Sequence, residues 1–463
     1  KSVTFILSAF FITGLLTYAY NVSLSPSRAR YDPNSALKTT SYVIYKNSAT
    51  VVAMSSTTGG IDYSGTNAVT VIQNAMDALT SGGEILVKAG TYAISASIII
   101  RNSATLVLEQ GAILQASGIS NVGFGKPMIA IRKDGDVENV EICGGIFDCN
   151  GNAEYGISCG YTVARTFKNI YIHDLEIKNT NTNDGIYFAG GTFKNIVIDR
   201  CRFSNIARRD ITFTYFKGEH VIAKNNFLHR GITFEAPSNP TYSPLDNLII
   251  EGNQYRQQIA DNIVINVIGR NYTYGFVRIS DNQIYSLNHP TTKGDRAINV
   301  YGLRNAIIEG NQILGFGSIT WNTGAINLDG TDGCQRVAVV NNNIRDCTIG
   351  IKEWAPSNYN TIKHNDVSLN VATPIVKSGT NTEVRFNIGF VTENSGIVTA
   401  KANGGTIAHG LAGTPTIVQL TSLNATYDGV GVIVAWDRAN SDSKNISLDI
   451  YWSNGTAITN PVI

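Results

Sequence analysis

The sequence predicts an all-β protein whose body is a parallel β-helix, a solenoid of stacked short-strand coils. Three observations predict it. Ile157, Ile186, Ile211, Ile232, Ile263, Ile298, Ile326, Ile351 and Ile375 recur at gaps of 29, 25, 21, 31, 35, 28, 25 and 24 residues, the period of a repeat architecture. Each Ile opens an alternating run such as Ile186-Tyr187-Phe188, Ile211-Thr212-Phe213 or Ile232-Thr233-Phe234, and period two marks strands. A second column, Asn226, Asn253, Asn282, Asn311, Asn342 and Asn365, follows apolar runs such as Leu248-Ile249-Ile250. Asn tolerates the left-handed conformation of a tight corner, and stacked amide side chains bond to those above and below. A lone short strand cannot bury its apolar face, whereas stacked coils bury it as ladders inside a tube. Propeller blades would repeat at about 40–50 residues, longer than these gaps. With strands about 4.8 Å apart, eight steps of the Ile column give a rod of roughly 38 Å.

The elements follow in chain order. Residues 3–20 carry no charge, which predicts an apolar helix over 1–22. Three readings of it stand open: a signal peptide with Lys1 as its basic region, a signal anchor just long enough to span, or the helix of a pilin-like subunit packed on its own copies. Residues 23–56 read as a polar connector with Pro26 and Pro33. The β-helix is assigned to 57–388. It opens with a short helix bearing Val69, Ile72, Met76 and Leu79 on one face, ended by Gly82-Gly83, after which strands begin at Glu84. Beyond residue 388 the Asn corners stop. Residues 389–463 read as a separate, sandwich-like β unit with runs at 406–411, 415–418, 432–436 and 446–452, which would shield the open edge of the last coil.

Composition narrows the function classes. A net charge of +1 with 15% charged residues leaves no basic field for nucleic acid. Asn21, Asn271, Asn424, Asn445 and Asn454 stand in N-glycosylation acceptor triplets, in keeping with an extracellular chain. In such a chain disulfides are expected for Cys334 with Cys347 and for one pair among Cys143, Cys149 and Cys159, with buried free thiols as the alternative. No Cys has zinc-type spacing with His, so no metal site is expected.

Asp62, Ile72-Gln73, Ala75, Asp77, Gly82-Gly83 and Gly90-Thr91-Tyr92 resemble the N-terminal capping segment of the pectate-lyase-like right-handed parallel β-helix superfamily. The resemblance covers about 57–388. It implies the fold, with the helix plugging the tube. It leaves activity open, because the superfamily spans polysaccharide lyases, hydrolases, epimerases, phage tailspikes and adhesins.

Glycoside hydrolysis needs two carboxyl groups about 5–9.5 Å apart. Asp184 and Asp210 are the acidic pair on adjacent coils, with Arg208, Arg209 and Arg230 beside them. Asn181-Thr182-Asn183-Asp184-Gly185-Ile186 resembles the Asn-Thr-Asp-Gly motif of polygalacturonase-type hydrolases. The likeness then fails, since Arg208-Arg209 stands where paired Asp is required and His229-Arg230-Gly231 where His lies between glycines. Lyases of the superfamily use calcium carboxylates and an Arg or Lys base, so Asp184, Arg209, Asp210 and Arg230 are the catalytic candidates of an enzyme reading, with Ca2+ as cofactor only in that case. The alternation places Tyr187, Thr212, Thr233, Asn299, Asn327 and Lys352 outward, then Thr214, Glu235, Asn266, Tyr301, Asp329 and Trp354 at the next outward position. Glu235 and Asp329 fall three coils, roughly 14 Å, apart. Tyr301 and Trp354 fall two coils, roughly 10 Å, apart and with Tyr187 are the glycan-stacking candidates.

Two functions compete. One is an extracellular cell-surface rod, a filament subunit or adhesin, whose partners are its own copies or a membrane through the N-terminal helix, together with polysaccharide. The other is a secreted lyase or hydrolase acting on acidic polysaccharide.

Overall fold

The computed structural model describes residues 40–452 apart from 122–124, 132–134, 160–164, 215–216, 237–246, 258–262, 270–274, 288–293, 319–321, 331–332, 393–404, 413–414, 416, 421–425 and 428–429. The apolar segment 1–22 and Asn21, Asn271, Asn424 and Asn454 lie outside the described residues. Among the described residues no helix is long and apolar enough to cross a membrane.

Three long sheets carry the molecule. The first has 15 strands, from Ile61–Gly65 to Glu383–Arg385. The second has 10, from Gly90–Ile94 to Asn343–Arg345, and the third has 11, from Ile98–Ile100 to Thr373–Val376. One strand in each sheet makes a coil, as in Val137–Cys143, Ile146–Asp148 and Tyr155–Cys159, and each strand pairs in parallel with its counterpart one coil on. This is a parallel β-helix.

The connector expected over 23–56 ends early. Tyr42–Asn47 and Thr50–Ser55 form an antiparallel hairpin, and the first of them pairs in parallel with Gly83–Val87. Ile44, Val51 and Ala53 are buried there, so these residues belong to the core rather than to a tether. The helix Ala68–Ala78 then plugs the tube. Asn67 caps it by accepting from the Val69 and Thr70 N–H groups, and Val69, Ile72, Met76 and Leu79 face inward. Gln73 accepts from the Ile99 N–H at 2.8 Å and donates to the Ile99 carbonyl at 3.2 Å, so a side chain takes the place of the missing coil at the third sheet's first strand.

The Ile column is in register, with one correction. Ile98, Ile129, Ile157, Ile186, Ile211, Ile232, Ile265, Ile298, Ile326, Ile351 and Ile375 pair in succession, all buried. Ile263 is displaced by Ile265 and opposes Arg296 instead. Two residues on, Phe188, Phe213 and Phe234 stack at centroid distances of 4.5 and 4.7 Å, and Phe193 meets the first two edge-on. The same row continues through Val267, Val300 and Leu328 to Glu353, a buried carboxylate that accepts from Asn360, Thr382 and the Gly379 N–H.

The Asn column is an internal ladder. Asn226, Asn253, Asn282, Asn311, Asn342, Asn365 and Asn387 are buried, and the side-chain amide of each donates to the Oδ1 of the next at 2.9–3.0 Å. The backbone N–H of each also bonds to that Oδ1, and Cys201 takes the position before the first rung. The left-handed residues are not these Asn, as expected, but their predecessors: Asn225, Gly252, Asp281, Gly310, Asn341, His364 and Phe386. The predecessor makes the corner, which frees the Asn side chain to point into the stack.

The expected disulfides are absent. All six cysteines are free, and five of them, Cys149, Cys159, Cys201, Cys334 and Cys347, are buried. They pack as small apolar residues, and burial pushes the thiols of Cys149, Cys159, Cys201 and Cys334 up. In the C-terminal unit the described residues form one four-stranded antiparallel sheet from Thr406–Ala408, Asn445–Trp452, Val430–Asp437 and Thr426–Tyr427. The run expected at 415–418 gives no strand among the described residues there, and Ile417 is exposed. The acceptor Asn445 opens the strand Asn445–Trp452.

Candidate functional site

Asp184 lies two residues before Ile186 and Asp210 one residue before Ile211, in the turns that lead into those strands. Both are fully buried. Asp184 is held by the Arg208 guanidinium, Nε donating at 2.8 Å, and by the Arg209 N–H at 3.0 Å. Asp210 Oδ2 accepts from the N–H groups of His229, Arg230 and Gly231, each at 2.7 Å. It locks a turn in which Gly231 is required, because φ is +102° and a Cβ there would lie 2.1 Å from the Val264 carbonyl oxygen. Arg209 Nη1 donates to the carbonyls of Arg230 and Ile263, and Arg230 Nε to that of Ile206. The four candidates are neighbours, as expected, but they hold turns between the second and third sheets instead of facing a groove.

The outward row of the third sheet is covered as well. Asn266, Asn299 and Asn327 form a second buried amide ladder at 2.9 Å per rung. Asn266 lies in the row of Thr233 and Asn299, so the next outward position on its coil is Ile268. Trp354 Nε1 donates to Asn327 at 3.0 Å, and Lys352 Nζ sits 4.0 Å over the Trp354 ring. Burial there holds the Lys352 ammonium below its ordinary value against the opposing pull of Asp329. Tyr187 stacks on Tyr155 at 5.0 Å with Arg208 over its ring. Tyr301 is half-buried in register with Asp329. Tyr187 and Trp354 are thus engaged by neighbours of their own, and Tyr301 and Trp354 lie two coils apart as the sequence predicts.

The second sheet offers a different surface. Its outward rows run Arg202, Phe227, Gln254, Gln283, Gln312, Asn343 and, two residues on, Arg256, Tyr285, Leu314, Arg345. Arg202 lies 5.0 Å over the Phe227 ring and Arg256 5.1 Å over Tyr285. Arg256 also donates to Gln283 at 2.8 Å, and the Tyr285 hydroxyl to Gln312 at 2.7 Å. Phe227 is 43% exposed, an open aromatic face beside an open depression of about 340 Å³ lined by Arg202, Phe227, His229, Gln254 and Arg256. From Arg202 to Arg345 these rows contain no carboxylate, whereas Glu176 and Asp366 stand at their two ends. Sequence reasoning missed this surface because its residues carry no catalytic signature. The signal was present as cationic and aromatic residues recurring one coil apart.

No protein-family model and no curated protein matches the sequence. Among solved structures the chain is similar to the A-module of the Azotobacter vinelandii mannuronan C-5 epimerase AlgE4, with 15% identity, 68% of this chain and 95% of that one covered, and a TM-score of 0.47. It is similar to the Streptococcus pneumoniae surface protein and adhesin PfbA, with 15% identity, 69% and 94% covered, and a TM-score of 0.47. It is also similar to an alginate lyase from a Paenibacillus species, with 12% identity, 69% and 97% covered, and a TM-score of 0.40. The fold itself, a parallel β-helix, is given by the strand pairing of the three sheets.

Proposed function

We propose that the protein is an extracellular surface rod that binds acidic polysaccharide along its second sheet without cleaving it. The Arg–aromatic–amide stripe carries this reading. Guanidinium groups grip carboxylates two-pronged, exposed aromatic faces stack on sugar rings, and amides bond to hydroxyls. Arg202 and Arg256 lie two coils, about 10 Å, apart along the rod and two residues, about 7 Å, apart along the strand, so a polymer crossing the sheet obliquely meets both. The buried state of Asp184 and Asp210 weighs against catalysis at the site the sequence suggested. Display or polymerisation through the apolar segment 1–22 belongs to the same proposal, and electron microscopy of native surface material tests that part.

Retention of the full chain on immobilised polygalacturonate and alginate tests the binding. We expect salt-sensitive retention that falls at least tenfold in the Arg202→Ala/Arg256→Ala double variant, with no shortening of the polymer. Unchanged retention in that variant, or unsaturated product that disappears on Asp184→Ala, would overturn the proposal, the second in favour of an enzyme.

A further inference from the structure

We infer that the outward face of the first sheet holds a zinc-type metal site made by Glu141, Cys143 and His173. The register brings them together. Cys143 and His173 are paired residues on adjacent coils, and Glu141 lies two residues before Cys143 on the same face. One donor atom from each, a carboxylate oxygen, Sγ and a ring nitrogen, all lie within 4.8 Å of one another. All three residues are half-buried, so an ion can enter from solvent and still be partly shielded.

The imidazole is already oriented as a ligand. His173 Nδ1 lies 2.6 Å from Asp174 Oδ2 and Nε2 3.1 Å from Glu141 Oε1, so each ring nitrogen donates to a carboxylate in the metal-free site, and Nε2, which faces Glu141, is the nitrogen that would give up its proton to a metal. A carboxylate behind the non-ligating nitrogen is the usual support of a metal-bound His. The ring is fixed from a second direction by Tyr171, stacked at 3.9 Å. Asp174 is itself anchored by two bonds of 2.7 Å from Arg200.

The donor set selects the ion. Thiolate and imidazole favour zinc and its borderline neighbours over calcium or magnesium, which take oxygen ligands. One thiolate, one carboxylate and one neutral imidazole balance a divalent charge, and binding releases the thiol proton together with the Nε2 proton that His173 shares with Glu141. Bonds of about 2.0–2.3 Å to three protein donors leave a fourth tetrahedral position for water. The geometry therefore describes an open three-ligand site rather than a closed structural one.

Co2+ substitution on the full chain is the test. We expect one Co2+ per chain, a near-ultraviolet thiolate-to-metal band and intense tetrahedral visible bands, all displaced by Zn2+. Cys143→Ser should abolish the thiolate band, and His173→Gln should lower affinity at least tenfold. Asp174→Asn should preserve the spectrum while weakening binding about 10–100-fold, the signature of a positioning residue. Failure to retain Co2+ or Zn2+ at micromolar concentrations, or a thiolate band that survives Cys143→Ser, would overturn the assignment. Each variant is checked by circular dichroism, and a folded Cys143→Ser that binds metal as tightly as the parent would overturn it too.

Discussion

The internal Asn ladder makes its sharpest prediction at Asn282. This residue is fully buried and is the third of the seven rungs, with neighbours on both sides. Its amide donates to the Ile250 carbonyl at 3.1 Å and to Asn311 Oδ1 at 2.9 Å, and its Oδ1 accepts from the Asn253 N–H and the Asn253 side chain, each at 3.0 Å. Asn282→Ala removes all four bonds and strips the Asn253 N–H of its amide partner. At about 1 kcal/mol for each of the other three bonds and about 1–3 kcal/mol for the stranded Asn253 N–H, the cost is about 4–6 kcal/mol. Exposed Asn381, with one side-chain bond to Asn358 at 3.1 Å, should lose under about 1 kcal/mol on Asn381→Gly. Asn282→Asp separates the amide's two roles. It keeps an acceptor for Asn253 but turns the second oxygen toward the oxygens of Ile250 and Asn311, so burial and these dipoles favour the protonated acid. The folded pKa then lies above the unfolded value of about 3.9, and the variant is most stable below that value and weakens as pH rises through the folded pKa. The assay is urea unfolding at pH 4 and pH 7 with the slope monitored, together with hydrogen exchange at the Asn253 amide. A loss below about 1 kcal/mol for Asn282→Ala, or an Asn282→Asp midpoint indifferent to pH, would refute the claim that the ladder holds the coils together.

Three further outcomes follow from the same structure. Phe213→Ala, at the centre of the Phe188–Phe213–Phe234 stack, should cost about 3–5 kcal/mol in unfolding experiments, while Phe227→Ala on the exposed second sheet should fall within about 0.5 kcal/mol yet weaken polyuronate retention. Tyr92 is fully buried and donates to the Lys88 carbonyl at 2.9 Å, and burial with the nearby Glu109 charge pushes its phenol up to about 12. Its contribution is intact below the unfolded value of about 10 and is lost as pH rises toward 12, so Tyr92→Phe should flatten the alkaline limb of a stability–pH curve. Of the six thiols only Cys143 should react with a thiol reagent in the native protein, with the five buried ones following on unfolding, as timed labelling and mass spectrometry will show.

The sequence made the core legible and the outside much less so. Ile186, Ile211 and Ile232 could be stacked from spacing alone because burial of one face permits no one-residue slip. A two-residue slip keeps the same face, which is why Ile263 and Ile265 were indistinguishable in pattern and only the pairing chose Ile265. The Asn column was visible, but residue preference assigned the left-handed bend to Asn226 when Asn225 carries it. Asp184 and Asp210 were legible as neighbours. Their burial was not legible, because residues just ahead of a strand sit in a turn, where alternation assigns no face: Asp184 lies two residues before Ile186 and Asp210 only one before Ile211. The cysteines suggested disulfides through compartment alone, and nothing linear indicated that Cys201 would stand in line with an Asn ladder.

Linear spacing is the wrong ruler for chemistry on a solenoid. Cys143 and His173 are partners because their separation equals one coil, and Arg202 and Arg256 share a face because theirs equals two coils and two further residues. A net charge of +1 likewise conceals how charge is sorted among the sheets. On the first sheet cations meet acids: Lys194 with Glu219 at 2.7 Å, Arg200 with Asp174 at 2.7 Å and Arg278 with Glu309 at 2.8 Å. On the second, Arg202 and Arg256 meet aromatic rings and a neutral amide. Exposed ion pairs contribute little to stability, so stability alone does not demand acids on one face and their exclusion from another. Arg202 has Glu176 as its register partner at the end of the row, but around Arg256 an anionic ligand does demand it, because a carboxylate there would compete for the guanidinium that the ligand needs. Placing one there by Gln254→Glu should therefore abolish polyuronate retention while leaving the unfolding midpoint unchanged, and retention that survives the added charge would remove the second sheet from consideration.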